Sequence, residues 1–326
     1  MKARDISYGR FGLFRWCVIA LLGICVHVRA DSKFDTLVDE GKFAEALQYY
    51  TDNGKHAAAI EYAEEQIPPP SRTVEIWIAI ANAYAQAGED EKAMACYQEA
   101  QKANPSHPDV YLAFGQINLK KKKYEEAMKH YQKSYLLERT AEAAEGLAIC
   151  AARLKQWDKA RDAAESAVNL DKDVLESRFI LADLYLKEKA YKPAAKQLEV
   201  IVTIKPDNLK YWKQLAQCYK ELGDKVNLAR VDPEIIKRDK KDVQSRQRMA
   251  EYALNNNDTK TAFRLLKELA ILTPDDPEVF QNLYQIAAKK GDTKAATLYL
   301  KNYIVLDSTH AESHKAMGDL LYEQDD

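Results

Sequence analysis

VEIWIAIANAYAQAGEDEKAMACYQEAQKANPSH, residues 74–107, is the stretch from which the rest of the chain can be read. Trp77 fills its fourth place, Ile80 and Ala81 the seventh and eighth, and Tyr84 the eleventh. Ala93, Tyr97 and Ala100 follow at the twentieth, twenty-fourth and twenty-seventh. Apolar residues at spacings of three and four put one stripe on each of two helices. Gly88, at the fifteenth place, sits where the first helix must end and the chain reverse. Pro105, at the thirty-second, cannot continue the second helix and stops it.

The same template repeats in both directions. Copies start at Glu40, Val74, Pro108, Ala141, Leu175, Leu209, Val243, Pro277 and Ala311, in steps of 34 residues with a single step of 33. A fixed period of that size marks stacked helical pairs in which each unit buries its face against its neighbour. The eighth and twentieth places are small: Ala81 and Ala93, Gly115 and Ala127, Ala148 and Ala160, Ala182 and Ala194, Ala250 and Ala262. Two helices approach most closely there, and overfilling such a site costs about 1–3 kcal/mol. The seventh place is bulky, as at Ile80, Phe114, Leu147, Leu181, Leu215 and Leu283.

These residues resemble the tetratricopeptide repeat, a 34-residue helix–turn–helix unit, from about Glu40 to the C-terminus. The resemblance implies an all-α, right-handed superhelical solenoid of antiparallel helix pairs, with about eight repeats and a C-terminal capping helix. It also implies a protein-binding scaffold with no chemistry of its own. Residues 31–73 read as divergent N-terminal helices and a first repeat (Phe43, Leu47, Tyr50, Gly54, Ala59, Ala63), closed by Pro68, Pro69 and Pro70. Residues 74–310 form the array and 311–326 the capping helix. Asp232-Pro233-Glu234 reads as the cap and first turn of a new short helix, so a break or kink is expected there.

The first thirty residues are a separate object. Lys2, Arg4, Arg10 and Arg15 precede an apolar run at residues 16–28, and Val28-Arg29-Ala30 fits a small-residue cleavage site. This reads as a secretory signal peptide. The rival is an uncleaved membrane anchor, although the run is shorter than the roughly 20 residues a spanning helix needs. Without residues 1–30 the chain keeps 43 basic and 49 acidic residues, a net charge of −6. That argues against a nucleic-acid partner. Cys96, Cys150 and Cys218 remain; Cys150 and Cys218 share one place two repeats apart, too distant for a disulfide. All three read as buried thiols.

No catalytic constellation, phosphate loop or cofactor motif stands out, so neither an enzyme nor a cofactor is expected. His310 and His314 have an i, i+4 spacing that could place two metal ligands on one face. Packing and solvation account for both, and no metal is expected. The basic cluster at residues 120–123 falls at a helix C-terminus, where cations are favoured. Asn257-Asp258-Thr259 is a glycosylation sequon in an expected turn.

By resemblance, the second, fifth, ninth, twelfth and thirteenth places of each first helix face a partner-binding groove. Here that selects Ile78, Asn82, Leu112, Gln116, Leu119, Ile149, Phe179, Asp183 and Leu186, followed by the polar pair Lys213 and Gln217. Several of these could instead pack between repeats. Some family members clamp a chaperone's C-terminal carboxylate with Lys, Asn and Arg. The nearest approach here, Lys213 with Gln217, Arg248, then Glu278 with Asn282, fails because Glu278 has the wrong sign. The expectation is an exported adaptor, periplasmic or envelope-associated, that binds a protein or peptide segment. The alternative is a luminal chaperone that holds unfolded chains.

Overall fold

A computed structural model describes residues 31–325; the expected signal peptide lies outside them. Eighteen α-helices and one short 3-10 turn, and no strand, occur among the described residues. The chain divides into two compact units at Lys120–Lys121. The first holds α1 (Ser32–Asp39), α2 (Phe43–Asp52), α3 (His56–Gln66), α4 (Val74–Gln86), α5 (Asp90–Ala103) and α6 (Pro108–Lys120). The second opens with α7 (Tyr124–Leu137), α8 (Ala141–Arg153), α9 (Trp157–Leu170), α10 (Leu175–Lys187), α11 (Tyr191–Ile204) and α12 (Leu209–Glu221). It continues through α13 (Lys225–Arg238), α14 (Val243–Asn255), α15 (Thr259–Leu272), α16 (Pro277–Lys289), α17 (Thr293–Leu306) and α18 (Ala311–Asp325).

From Val74 onward, every repeat start expected from the sequence is the first residue of a helix. Each first helix is 13 residues long and each second helix 14, apart from the terminal α18. The short 33-residue step is absorbed outside the helices: α7 and α8 are joined by residues 138–140 alone. Thr140 still caps α8, its side chain accepting the Ala143 N–H. The two helices of each pair are joined by three residues, the middle one with positive φ. Glycine fills it at Gly88, Gly223 and Gly291, but Lys122, Lys155, Lys189 and Asn257 occupy the same place with φ between 57° and 59°. The first copy keeps this turn at Gly54, and a further turn at Gly41 makes its leading helix start at Phe43.

The small places are buried as the packing argument requires: Ala81, Ala93, Ala148, Ala160, Ala194 and Ala262 show no accessible surface. The bulky Ile80, Leu181, Leu215 and Leu283 are almost fully buried beside them. One close approach is not visible in the repeat pattern. A Cβ on Gly146 would lie 2.5 Å from the ring of Tyr131, so α8 touches α7 only because that residue is glycine.

The expected interruption at Asp232–Pro233–Glu234 does not occur. Helix α13 runs unbroken from Lys225 to Arg238 with Pro233 inside it. Asp232 caps no helix; it is buried and accepts a forked pair of hydrogen bonds from Arg248 of α14, at 3.0 and 2.5 Å. Pro233 removes the N–H that would have reached Ala229. Ala229 lines a cavity of about 210 Å³, so its carbonyl is not sealed in an apolar core.

Candidate functional site

Three consecutive repeats of the first unit place their groove positions around one cavity of about 530 Å³. Gln48 and Asp52 come from α2, Ile78, Asn82 and Gln86 from α4, and Asp109, Leu112 and Gln116 from α6. These are the second, fifth, ninth and thirteenth places. The helical period that buries the seventh and eighth places turns them to the opposite side. Thr51, His56 and Tyr97 complete the polar lining.

The cavity floor carries an ordered chain of hydrogen bonds. Tyr97 Oη donates to Asn82 Oδ1, Asn82 Nδ2 donates to Gln48 Oε1 at 2.9 Å, and Gln48 Nε2 donates to Asp52 Oδ1 at 2.7 Å. Burial pushes the Tyr97 phenol far above its ordinary range, so it stays protonated and acts as the donor. That fixes the Asn82 and Gln48 amides in one orientation, and every donor in the chain points toward the Asp52 carboxylate. Each amide keeps a second N–H for a ligand.

Four of the residues selected from the sequence, Ile78, Asn82, Leu112 and Gln116, line this cavity together. Leu119 is half-buried on the same helix, α6, but is not among the lining residues. The remaining six lie in the second unit. Ile149 is half-buried. Phe179 stacks on Tyr211 at 5.0 Å, and it and Leu186 pack on the core of α11–α13. Asp183 is paired with Lys187 at 2.6 Å. Lys213 is held by Asp239 at 3.0 Å and Asp242 at 2.9 Å, and Gln217 donates to Glu221 at 2.5 Å. The fifth place in this unit thus joins one repeat to the next: Glu145 accepts the Ser177 N–H, and Gln247 donates to Asp276. Gln48, Asp52, Gln86 and Asp109 stand at groove places but were not selected. The first copy departs too far from the template for its ninth and thirteenth places to stand out.

The other features weighed in the sequence have local partners. Arg248 is committed to Asp232 and Ser245. His310 Nδ1 meets Ser313 Oγ at 2.9 Å and His314 Nε2 meets the Ser308 carbonyl at 3.1 Å. Among the described residues no three His, Cys, Asp or Glu side chains come together as a metal cluster. Lys120 pairs with Asp90 at 2.9 Å. Cys96, Cys150 and Cys218 are free and buried, and burial pushes each thiol up to about 11, away from nucleophilic thiolate. No described helix is long and apolar enough to cross a membrane.

Helix pairs of this length, turn and packing define a helical-repeat protein of the protein-interaction scaffold class. Sequence models described as tetratricopeptide repeat match residues 74–117 and 108–140. Residues 74–140 thus match tetratricopeptide repeats, and the helix pairs that follow them keep the same lengths and turns. Comparison with curated protein sequences finds no match. Among solved structures it is similar to YrrB, described as a TPR protein with an unusual peptide-binding site: 20% identity, 56% of this chain and 92% of that one, TM-score 0.43. A structure of Naa15/Naa10 bound to HypK-THB aligns at 15% identity over 76% of this chain and 39% of that one, TM-score 0.48. A tetratricopeptide repeat protein from Parabacteroides merdae aligns at 11% identity over 78% and 99%, TM-score 0.43.

Proposed function

We propose that the chain is a non-enzymatic adaptor of an exported compartment, which holds a partner's extended segment in the cavity lined by α2, α4 and α6. The observation that carries this reading is the convergence of groove places from three repeats on one cavity, with apolar Ile78 and Leu112 beside oriented amides. A preformed site of this kind binds an extended segment with little reorganisation. Ile78 and Leu112 take its aliphatic groups, and the spare N–H groups of Asn82, Gln48, Gln86 and Gln116 pair with its carbonyls. YrrB, with its peptide-binding site, is a protein of the same repeat family. Export is supported by the basic start, the apolar run at residues 16–28 and the small-residue site at Val28-Arg29-Ala30. A bacterial envelope assembly is the setting we favour.

Two measurements test this. Partner capture from an envelope extract with the tagged chain, beside Leu112→Glu, should yield one stoichiometric partner that the variant loses. A broad set of unfolded clients would replace the adaptor with a chaperone, and an unchanged partner in Leu112→Glu would move the site off this cavity. N-terminal sequencing of the protein recovered from its native compartment should begin at Asp31. A start at Met1 would overturn cleavage.

A further inference from the structure

We infer that the α2–α4–α6 cavity selects its partner by basic side chains, Lys or Arg, set against the carboxylates of Asp52 and of Asp109, with an aliphatic neighbour on Leu112. The inference rests on the groove reading above and adds the partner's chemistry to it.

Charge is the first argument. Two carboxylates, Asp52 and Asp109, lie among the fourteen lining residues, and no Lys or Arg does. Asp52 is bonded to the neutral Gln48 amide and makes no ion pair among the described residues. The base nearest Asp109 is His107 at 3.9 Å, and that carboxylate is 59% exposed. Several carboxylates elsewhere are ion-paired within the chain: Asp31 with Lys55, Asp90 with Lys120, and Asp239 and Asp242 with Lys213. At the groove of this unit the countercharge is left for a ligand to supply.

Direction is the second argument. The bonds from Tyr97 through Asn82 and Gln48 all donate toward Asp52, so the chain ends on an acceptor. Asp52 Oδ2 remains open for a donor from the ligand, and an acidic ligand group would face carboxylates instead. A guanidinium or ammonium supplies both the N–H and the charge, and such bonds are stronger than neutral ones. Because both carboxylates are water-exposed, the effect is discrimination among partners more than raw affinity.

The test uses the full chain and a set of acetylated, amidated Leu-X-Leu-containing pentapeptides that differ only at X, read by fluorescence polarisation. With Arg or Lys at X binding should be about tenfold tighter than with Glu, and the gap should shrink as salt rises. Asp52→Asn with Asp109→Asn should bring the two within about twofold, and Asp52→Lys with Asp109→Lys should reverse the order. Both residues are exposed, and unchanged circular dichroism and melting would show the variants folded. If peptides bind, are lost in Leu112→Glu, and show no preference at X, the inference falls while the groove reading stands. A preference for Glu, or an Arg preference that survives both carboxylate changes, also overturns it. If no peptide of the set binds, both readings fail.

Discussion

Tyr111, Arg178, Trp212 and His314 have little chemistry in common, yet all stand at the fourth place of a repeat and make the same bond. Each reaches the backbone carbonyl six residues upstream, at Pro105, Lys172, Pro206 and Ser308. In these four repeats the fourth place is therefore not simply aromatic: a long side chain with an N–H or O–H at its end ties the inter-repeat connection to the helix that follows, whereas Ala144 and Phe280 hold the place by packing alone. Trp212→Phe keeps the ring and removes the donor. Because Arg238 Nε also donates to the Pro206 carbonyl, that acceptor is not orphaned. The loss should be about 0.5–1 kcal/mol in urea unfolding, and an unchanged midpoint would show the bond contributes nothing. The turn residues allow a gain. Lys155 has φ 58°, a region that costs a non-glycine residue about 1–2 kcal/mol. Lys155→Gly relieves that strain but adds about 0.4–1 kcal/mol of unfolded-state entropy. The net should be stabilisation of about 0.5–1 kcal/mol. Gly88→Ala, at φ 81° with open space around the added methyl, should move the other way for conformational reasons alone.

At the scale of the element, helix α8 makes a sharper test, because two rules predict opposite signs for one substitution. Helix propensity says Gly146→Ala should stabilise by about 1 kcal/mol. The added methyl, however, would meet the Tyr131 ring at 2.5 Å, and Tyr131 is buried. Overpacking of about 1–3 kcal/mol should prevail, so Gly146→Ala lowers the melting temperature. In a Tyr131→Ala background the same change should become neutral or stabilising; if it still destabilises there, the contact is not the cause. This glycine also shows where sequence reading stops. Helix starts from Val74 to Ala311 were legible because each repeat states the same spacing again. Gly146 occurs once, and its reason lies on another helix. The same holds for Asp232 and Pro233, whose local reading as a cap was outweighed by Arg248 of α14. In the candidate site, Ile78, Asn82, Leu112 and Gln116 were legible from their places. Lys213 and Phe179 were not seen to be engaged, because Asp242 closes the far end of its repeat and Tyr211 lies in the next one.

Across the whole molecule, capping carboxylates are unevenly spread, and this gives acid a preferred point of attack. In the second unit Asp224, Asp242 and Asp258 accept the backbone N–H groups of Asn227, Ser245 and Thr261 at the starts of α13, α14 and α15. The Asn227 N–H and amide hold Asp224 below the usual carboxylate range, and the Thr261 side chain and N–H do so for Asp258. At Asp242 burial pulls upward, but hydrogen bonds from Lys213 and Ser245 outweigh it and the net shift is down. A carboxyl lowered on folding contributes stability above its unfolded value, near 4, and loses it as pH falls through the folded value. Asp232 has the opposite sign: burial raises it despite Arg248, so its ionisation opposes folding as pH rises through the raised value. Its protonation in acid removes that penalty, yet leaves Arg248 without its charged partner. The first unit offers a reference in α5, whose N-cap Glu89 makes no capping bond. Hydrogen-exchange protection should therefore be level from pH 7 to about 5 in α5 and in α13–α15 alike. Below about 4 it should fall first in α13–α15. Asp242→Asn should remove part of that difference and lower stability at neutral pH, because Asn still caps but no longer answers the charge of Lys213. Loss of protection in α5 before α13–α15 would show that acid acts through general charge repulsion and not through these caps.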